Sequence, residues 1–175
     1  LAASGYDAAE IEALRIYQDV YRGETGIAER RLDSALKIWP THSAFAWEIG
    51  LVYSGEEKRE KLGAAAQAYL NAPAQPMWVL LRLPWYLSNS DRASEADRLL
   101  ASLIAKYPNG SKLYQHRGIL RQQSGEYQAS LEDYERARAL DPFNPEFAQA
   151  STGSAQKGIQ LAQAQPTTAK DTTSV

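Results

Sequence analysis

His42 and His116 are the two imidazoles in 175 residues, and imidazole is the side chain whose ordinary pKa suits it to proton transfer and metal binding near neutrality. They sit in different stretches of the chain with no metal-ligand spacing, so both are expected to be surface or groove residues rather than a catalytic pair. There is no cysteine, which removes disulfides, thiolate catalysis and Cys-based zinc sites together. Carboxylates come in adjacent pairs, Glu56-Glu57 and Glu132-Asp133. Basic neighbours, as in Glu57-Lys58-Arg59-Glu60-Lys61, give the pattern of a hydrated helix surface, so both pairs are expected on solvent faces or turns. No Gly-rich phosphate loop, nucleophile elbow or zinc-protease helix is present. Enzyme, cofactor and metal readings therefore have no residues to stand on.

Charge narrows the partners. A formal net charge of -2 and a pI near 5.8 give no basic excess to neutralise nucleic acid phosphates or an anionic membrane. The most apolar run, Met77 to Leu87, is too short to span a bilayer and holds Arg82 and Pro84, so direct membrane insertion is not expected. The first residue is Leu1 rather than Met, which implies that something upstream was removed. An anchor or targeting signal there would decide between cytoplasm and periplasm, and the lack of cysteine fits either.

The elements that position side chains follow from one spacing. Pro40, Pro108 and Pro142 fall at multiples of 34 residues, with Ala74 at the remaining step. Each Pro follows an apolar-periodic stretch, where a residue unable to continue a helix is expected. Between Ser111 and Asn144, Leu113 to Gln123 reads as helix, Ser124-Gly125-Glu126 breaks it, and Tyr127 to Leu140 is helical again. Tyr114, Gly118, Gly125, Tyr127, Ser130, Tyr134, Ala137, Leu140 and Pro142 occupy the places at which this stretch resembles the tetratricopeptide repeat family. Small residues there let helix axes approach to about 8 to 10 Å. The same frame puts Gly23, Ala28, Leu32, Ala35 and Pro40 in register in the first block, and Asp91, Ala96, Leu100, Leu103 and Pro108 in the third. The resemblance implies an all-α fold, a right-handed α-solenoid of antiparallel helix pairs.

The expected organisation is a lead-in over 1–8, repeats over 9–42, 43–76, 77–110 and 111–144, a capping helix over 145–164 and a disordered Thr-rich tail over 165–175. Asp7-Ala8-Ala9-Glu10 has the spacing of a capping box that starts the first helix. Asn144-Pro145-Glu146 is a helix opening. Pro84 should kink or break the first helix of its repeat. In the block 43–76, Ser54-Gly55 comes early, so the frame slips and the second helix is expected from about Lys58 to Leu70.

In this family the first helices line the concave surface. The frame assigns that surface to Ala13, Tyr17 and Tyr21; Ala44, Trp47 and Leu51; Trp78, Leu81 and Trp85; and Lys112, Gln115, Ile119 and Gln122. It is aromatic and neutral. Chaperone-type members hold a partner's C-terminal carboxylate with Lys, Asn and Arg at matched places, which here carry Ala, Trp, Leu, Tyr and Ile. The resemblance therefore implies a partner protein that offers an apolar or helical segment. The alternative reading places Trp47, Trp78 and Trp85 in the core between helices. A scaffold or adaptor in a larger assembly is the leading expectation. Others are the soluble part of a membrane-anchored bacterial envelope machine for secretion, pili or exopolysaccharide export, and a homodimer joined through its aromatic patches. The terminus Thr173-Ser174-Val175 has the form some PDZ domains capture, on three residues of a Thr-rich end.

Overall fold

A computed structural model describes residues 7–144 and 149–164 of the chain. The first helix begins where its cap is encoded. The Asp7 carboxylate accepts from the Glu10 amide at 2.8 Å, and the Glu10 carboxylate accepts from the Asp7 amide at 2.9 Å. This reciprocal box satisfies two otherwise orphan donors at the start of α1 (Ala8–Tyr21). Gly23, at φ 77°, turns the chain into α2 (Thr25–Ile38), which stops at Trp39 before Pro40. Ile16 on α1 and Ala28, Leu32 and Ala35 on α2 are all buried, and the two helices pack against each other. Ala13 is also buried, so it belongs to the core and not to the exposed surface the repeat frame assigned it.

The second pair departs from the ideal as the early Ser54-Gly55 requires. A 3-10 turn, Ser43–Phe45, leads into a short α3 (Ala46–Val52), and another, Glu56–Lys58, leads into α4 (Arg59–Asn71). Phe45, Ile49, Leu62, Ala66 and Tyr69 fill the core. Pro84 has its expected effect: the third pair opens as two pieces, α5 (Met77–Leu80) and α6 (Leu83–Ser88). Lacking an N–H, Pro84 is accommodated in the first turn of α6, where that donor would be unsatisfied anyway.

Asp91 turns the chain into α7 (Ala93–Lys106) at φ 61°, in the place that Gly23 and Gly125 hold in their hairpins. Asp tolerates this left-handed conformation better than most residues, and its carboxylate receives Arg59 Nη1 at 3.2 and 3.3 Å. Replacing Asp91 by Gly relieves the backbone while losing an exposed ion pair, so urea denaturation should find stability within about 1 kcal/mol of the parent. A β-branched Asp91→Val should cost about 2 kcal/mol.

The chain divides into two compact units, Leu1–Ala101 and Ser102–Val175, at a boundary inside α7. In the first unit, side chains tie successive hairpins together. Lys61 reaches Glu29 at 2.8 Å and Asp33 at 2.7 Å, and the Tyr53 hydroxyl donates to Asp33 at 2.6 Å. Arg92 donates to the Gly63 carbonyl at 3.1 Å while pairing with Glu95.

The second unit holds α8 (Ser111–Gln123), α9 (Tyr127–Leu140) and α10 (Gln149–Ala164). Gly118 is required by close approach, since a Cβ there would come within 2.8 Å of the Tyr134 ring, and its carbonyl accepts from Ser130 Oγ at 2.7 Å. Against α9 lies α10, with Ala155 buried and Gly158 against the Tyr127 ring. The expected opening at Asn144-Pro145-Glu146 and the tail over 165–175 lie outside the described residues, apart from Asn144.

Asp133 corrects an expectation. Glu132 is exposed, but Asp133 is only 3% exposed and receives Arg117 at 2.7 and 2.9 Å and Arg121 at 2.9 Å. The first hairpin uses the same two places with reversed polarity: there Asp19 on the first helix receives Arg31 Nε on the second at 2.9 Å. Arg31 also reaches Glu12 at 3.0 Å.

Candidate functional site

Glycine at position 50 sets the geometry around the tryptophans of the first unit. A Cβ there would stand 3.2 Å from the Tyr86 ring and 3.6 Å from Trp85, so the bare backbone of α3 lets both rings of α6 approach. Trp85 meets Tyr86 edge-on, with ring centroids 5.7 Å apart. Tyr86 is buried, whereas Trp85 remains 38% exposed and forms a wall of a shallow cleft of ≈ 250 Å³ beside Leu62, Arg59 and Asp91. On the turn before, Trp47 is 44% exposed and carries the Arg82 guanidinium 3.5 Å above its ring.

The candidate residues are thus only partly brought together. Trp47 stands on α3 and Trp85 on α6, with Trp78 exposed on α5 and Leu51 and Leu81 half-buried. All three tryptophans keep more than a third of their surface, unlike the core residues around them. Tyr17 and Tyr21 are exposed on α1, and no ring contact among the described residues joins them to the tryptophans. In the second unit Ile119 is exposed on α8, Gln115 is half-buried, and Gln122 accepts from the Tyr134 hydroxyl at 3.0 Å.

The face is not neutral, as the repeat frame alone implied. Arg82 sits on it, and beneath lies Glu48, 7% exposed, whose Oε2 has no hydrogen-bond partner. Burial pushes the Glu48 carboxyl up to about 7, against the opposing pull of its own backbone amide, then of the Arg82 charge and the Trp47 amide. Burial also holds the Arg82 guanidinium below its usual value. The buried Tyr86 hydroxyl likewise lacks a partner, whereas that of Tyr69 donates to the His42 carbonyl at 2.7 Å. Neither Glu48 nor Arg82 was a candidate from the sequence. Each did leave a trace: Glu48 is the lone charge in Ala44 to Val52, and Arg82 the lone charge in Met77 to Leu87.

His42 is half-buried and structural. Its Nδ1 accepts from the Ala44 amide at 3.3 Å, and Nε2 lies 3.2 Å from Asp7. Among the described residues no three of His, Cys, Asp or Glu are grouped to hold a metal ion, and no helix is long and apolar enough to cross a membrane.

No family model matches the chain, and no curated protein matches it. A solved structure described as the functional characterization of PilF from Pseudomonas aeruginosa matches with a TM-score of 0.61 at 20% identity, covering 91% of this chain and 77% of that one. At that identity the likeness speaks for the fold. Together with the paired helices, the glycine turns and the 34-residue spacing, it shows an all-α helical repeat of tetratricopeptide-like type.

Proposed function

We propose that the protein is a non-catalytic scaffold or adaptor that binds an apolar or helical segment of a partner protein on the first-helix face of its repeats, within a larger assembly. The observation that carries this reading is the exposure of Trp47, Trp78 and Trp85 within one compact unit. Large rigid aromatics bury much area on association at small entropic cost and recur as interface anchors. The partner's side chains would lie along Trp47 and Trp85, with Leu51, Leu81 and Trp78 beside them. Tyr17 and Tyr21 would extend the contact along α1; in the second unit, Gln115, Ile119 and Gln122 on α8 would offer a contact of their own.

The likeness to PilF favours one setting, a bacterial envelope assembly of the secretion, pilus or exopolysaccharide-export kind. The experiment is an affinity capture from native extract, followed by titration of the captured protein against the parent, Trp47→Ala and Trp85→Ala. Each substitution should weaken binding about tenfold or more while far-UV circular dichroism stays unchanged. Because both rings are part-exposed, the accompanying loss of stability should be about 1 kcal/mol, well below the cost of emptying a core site. Equal affinity for parent and both variants would exclude this face. Capture of nothing but further copies of the chain would point to homodimerisation through the aromatic patch, which sedimentation at several concentrations would measure.

A further inference from the structure

Two groups of opposite charge type, Glu48 and Arg82, lie within electrostatic reach of each other without pairing. Glu48 is buried with its Oε2 unbonded, and among the described residues no ion pair joins it to Arg82, although Arg82 feels its charge. Arg82 lies instead over Trp47, the residue next to Glu48 in the chain. A buried carboxylate needs a counter-charge, whereas a buried neutral carboxyl does not, and the stacked arrangement is the one that suits the neutral form.

We propose that Glu48 is a proton-operated latch on the Trp47 face: protonated, it leaves Arg82 stacked over the indole; ionised, it draws the guanidinium off the ring into a pair with itself and uncovers Trp47. The proton passes to solvent, and no other group changes charge. The attraction of a guanidinium for a buried carboxylate exceeds its attraction for an indole face, so ionisation decides between the two arrangements.

The groups around Glu48 permit this. Its titratable neighbours are Arg82 from the α5–α6 junction, Tyr86 from α6 and Tyr69 from α4. Burial raises both tyrosine hydroxyls, which therefore stay neutral while Glu48 titrates. No hydrogen bond or ion pair among the described residues ties Glu48 to α1 or α2, leaving Arg82 as the charge that answers it. The raised carboxyl, at about 7, puts the change near neutrality.

Insofar as the latch governs docking it rests on the function proposed above, but its operation is visible without a partner. The test is a pH titration from 5 to 9 by nuclear magnetic resonance on the full chain. It would follow the Trp47 indole N–H, assigned through Trp47→Phe, the Arg82 Nε–H and the Glu48 side-chain carboxyl. Indole and guanidinium signals are expected to move together with a midpoint near 7, and to stay flat in Glu48→Gln. In Arg82→Gln the indole should stop titrating although the Glu48 carboxyl still does. A flat indole in the parent, or one that titrates unchanged in either variant, overturns the latch. If Glu48→Gln fails to fold, Arg82→Gln decides alone. A working latch with no loss of partner binding in Trp47→Ala would sink the docking reading and leave the latch standing; the reverse result would do the opposite.

Discussion

Replacing Asp133 by Ala should lower the unfolding free energy by about 3 kcal/mol, measured by urea denaturation at pH 7. The carboxylate is almost wholly inaccessible and receives three hydrogen bonds from Arg117 and Arg121, both themselves mostly covered. Taking it away removes the negative charge that two neighbouring guanidinium groups share, and breaking such a pair from one side typically costs about 3 to 5 kcal/mol. The arginines keep some contact with water, which holds the expectation at the lower end of that range. A triple replacement of Arg117, Arg121 and Asp133 by leucine should cost less than Asp133→Ala alone, because it removes both like charges together with the carboxylate they share. If the single change proved neutral, Asp133 would be an ordinary surface carboxylate after all.

Glu48→Gln should produce the second large effect, and its sign depends on pH. The Glu48 carboxyl titrates at about 7 in the folded chain, against an ordinary value of 4.5. Between those values the folded state holds a proton that the unfolded state has released. The parent therefore loses stability as pH rises from about 4.5, and the loss is complete above about 7. Gln keeps the shape and cannot ionise. The stability gap between Glu48→Gln and the parent should thus grow with pH, the variant gaining up to about 3 kcal/mol at pH 8 relative to its standing at pH 4.5. Comparing the two proteins at each pH cancels the titration of every other shared group. A gap independent of pH would mean that Glu48 ionises like an exposed carboxylate.

What could be read from the sequence is what local chemistry dictates. The capping box at Asp7, the glycine turns at 23 and 125, the break forced by Pro84 and the slip at Ser54-Gly55 all act within a few residues of their cause. Asp91 was legible too, as the residue in a turn position, though not that it would take the left-handed conformation itself. The side-chain surroundings were harder. Glu132 and Asp133 are neighbours in the chain but point about 100° apart on a helix, so one can meet water and the other a pair of arginines. Those arginines lie on α8, a dozen or more residues away, and composition around Glu132 could not reveal them. Arg82 over Trp47 is the same kind of fact: two residues from different hairpins meet only once α3 and the α5–α6 junction are packed. The repeat frame left the tryptophans open between groove and core; their exposure, and the charge among them, depend on how α3 and the α5–α6 segment pack.

The reversed ion pairs of the first and last hairpins have a bearing on how such a chain reaches its fold. Repeats of similar length and helix content invite mistaken partners, both along one chain as it emerges from synthesis and between neighbouring chains in a crowded solution. If α1 took α9 for its mate, Asp19 would confront Asp133; if α8 took α2, Arg121 would confront Arg31. Either error buries two like charges together, while the correct pairing buries a match. The opposed polarity thus labels each helix with its own mate, and a chain in which Asp19 and Arg31 were exchanged, with Glu12→Gln added so that the carboxylate now at 31 meets no like charge, would lose the label while keeping an ion pair in each hairpin. Its native stability should be little changed, but its yield of monomer on refolding from denaturant should fall.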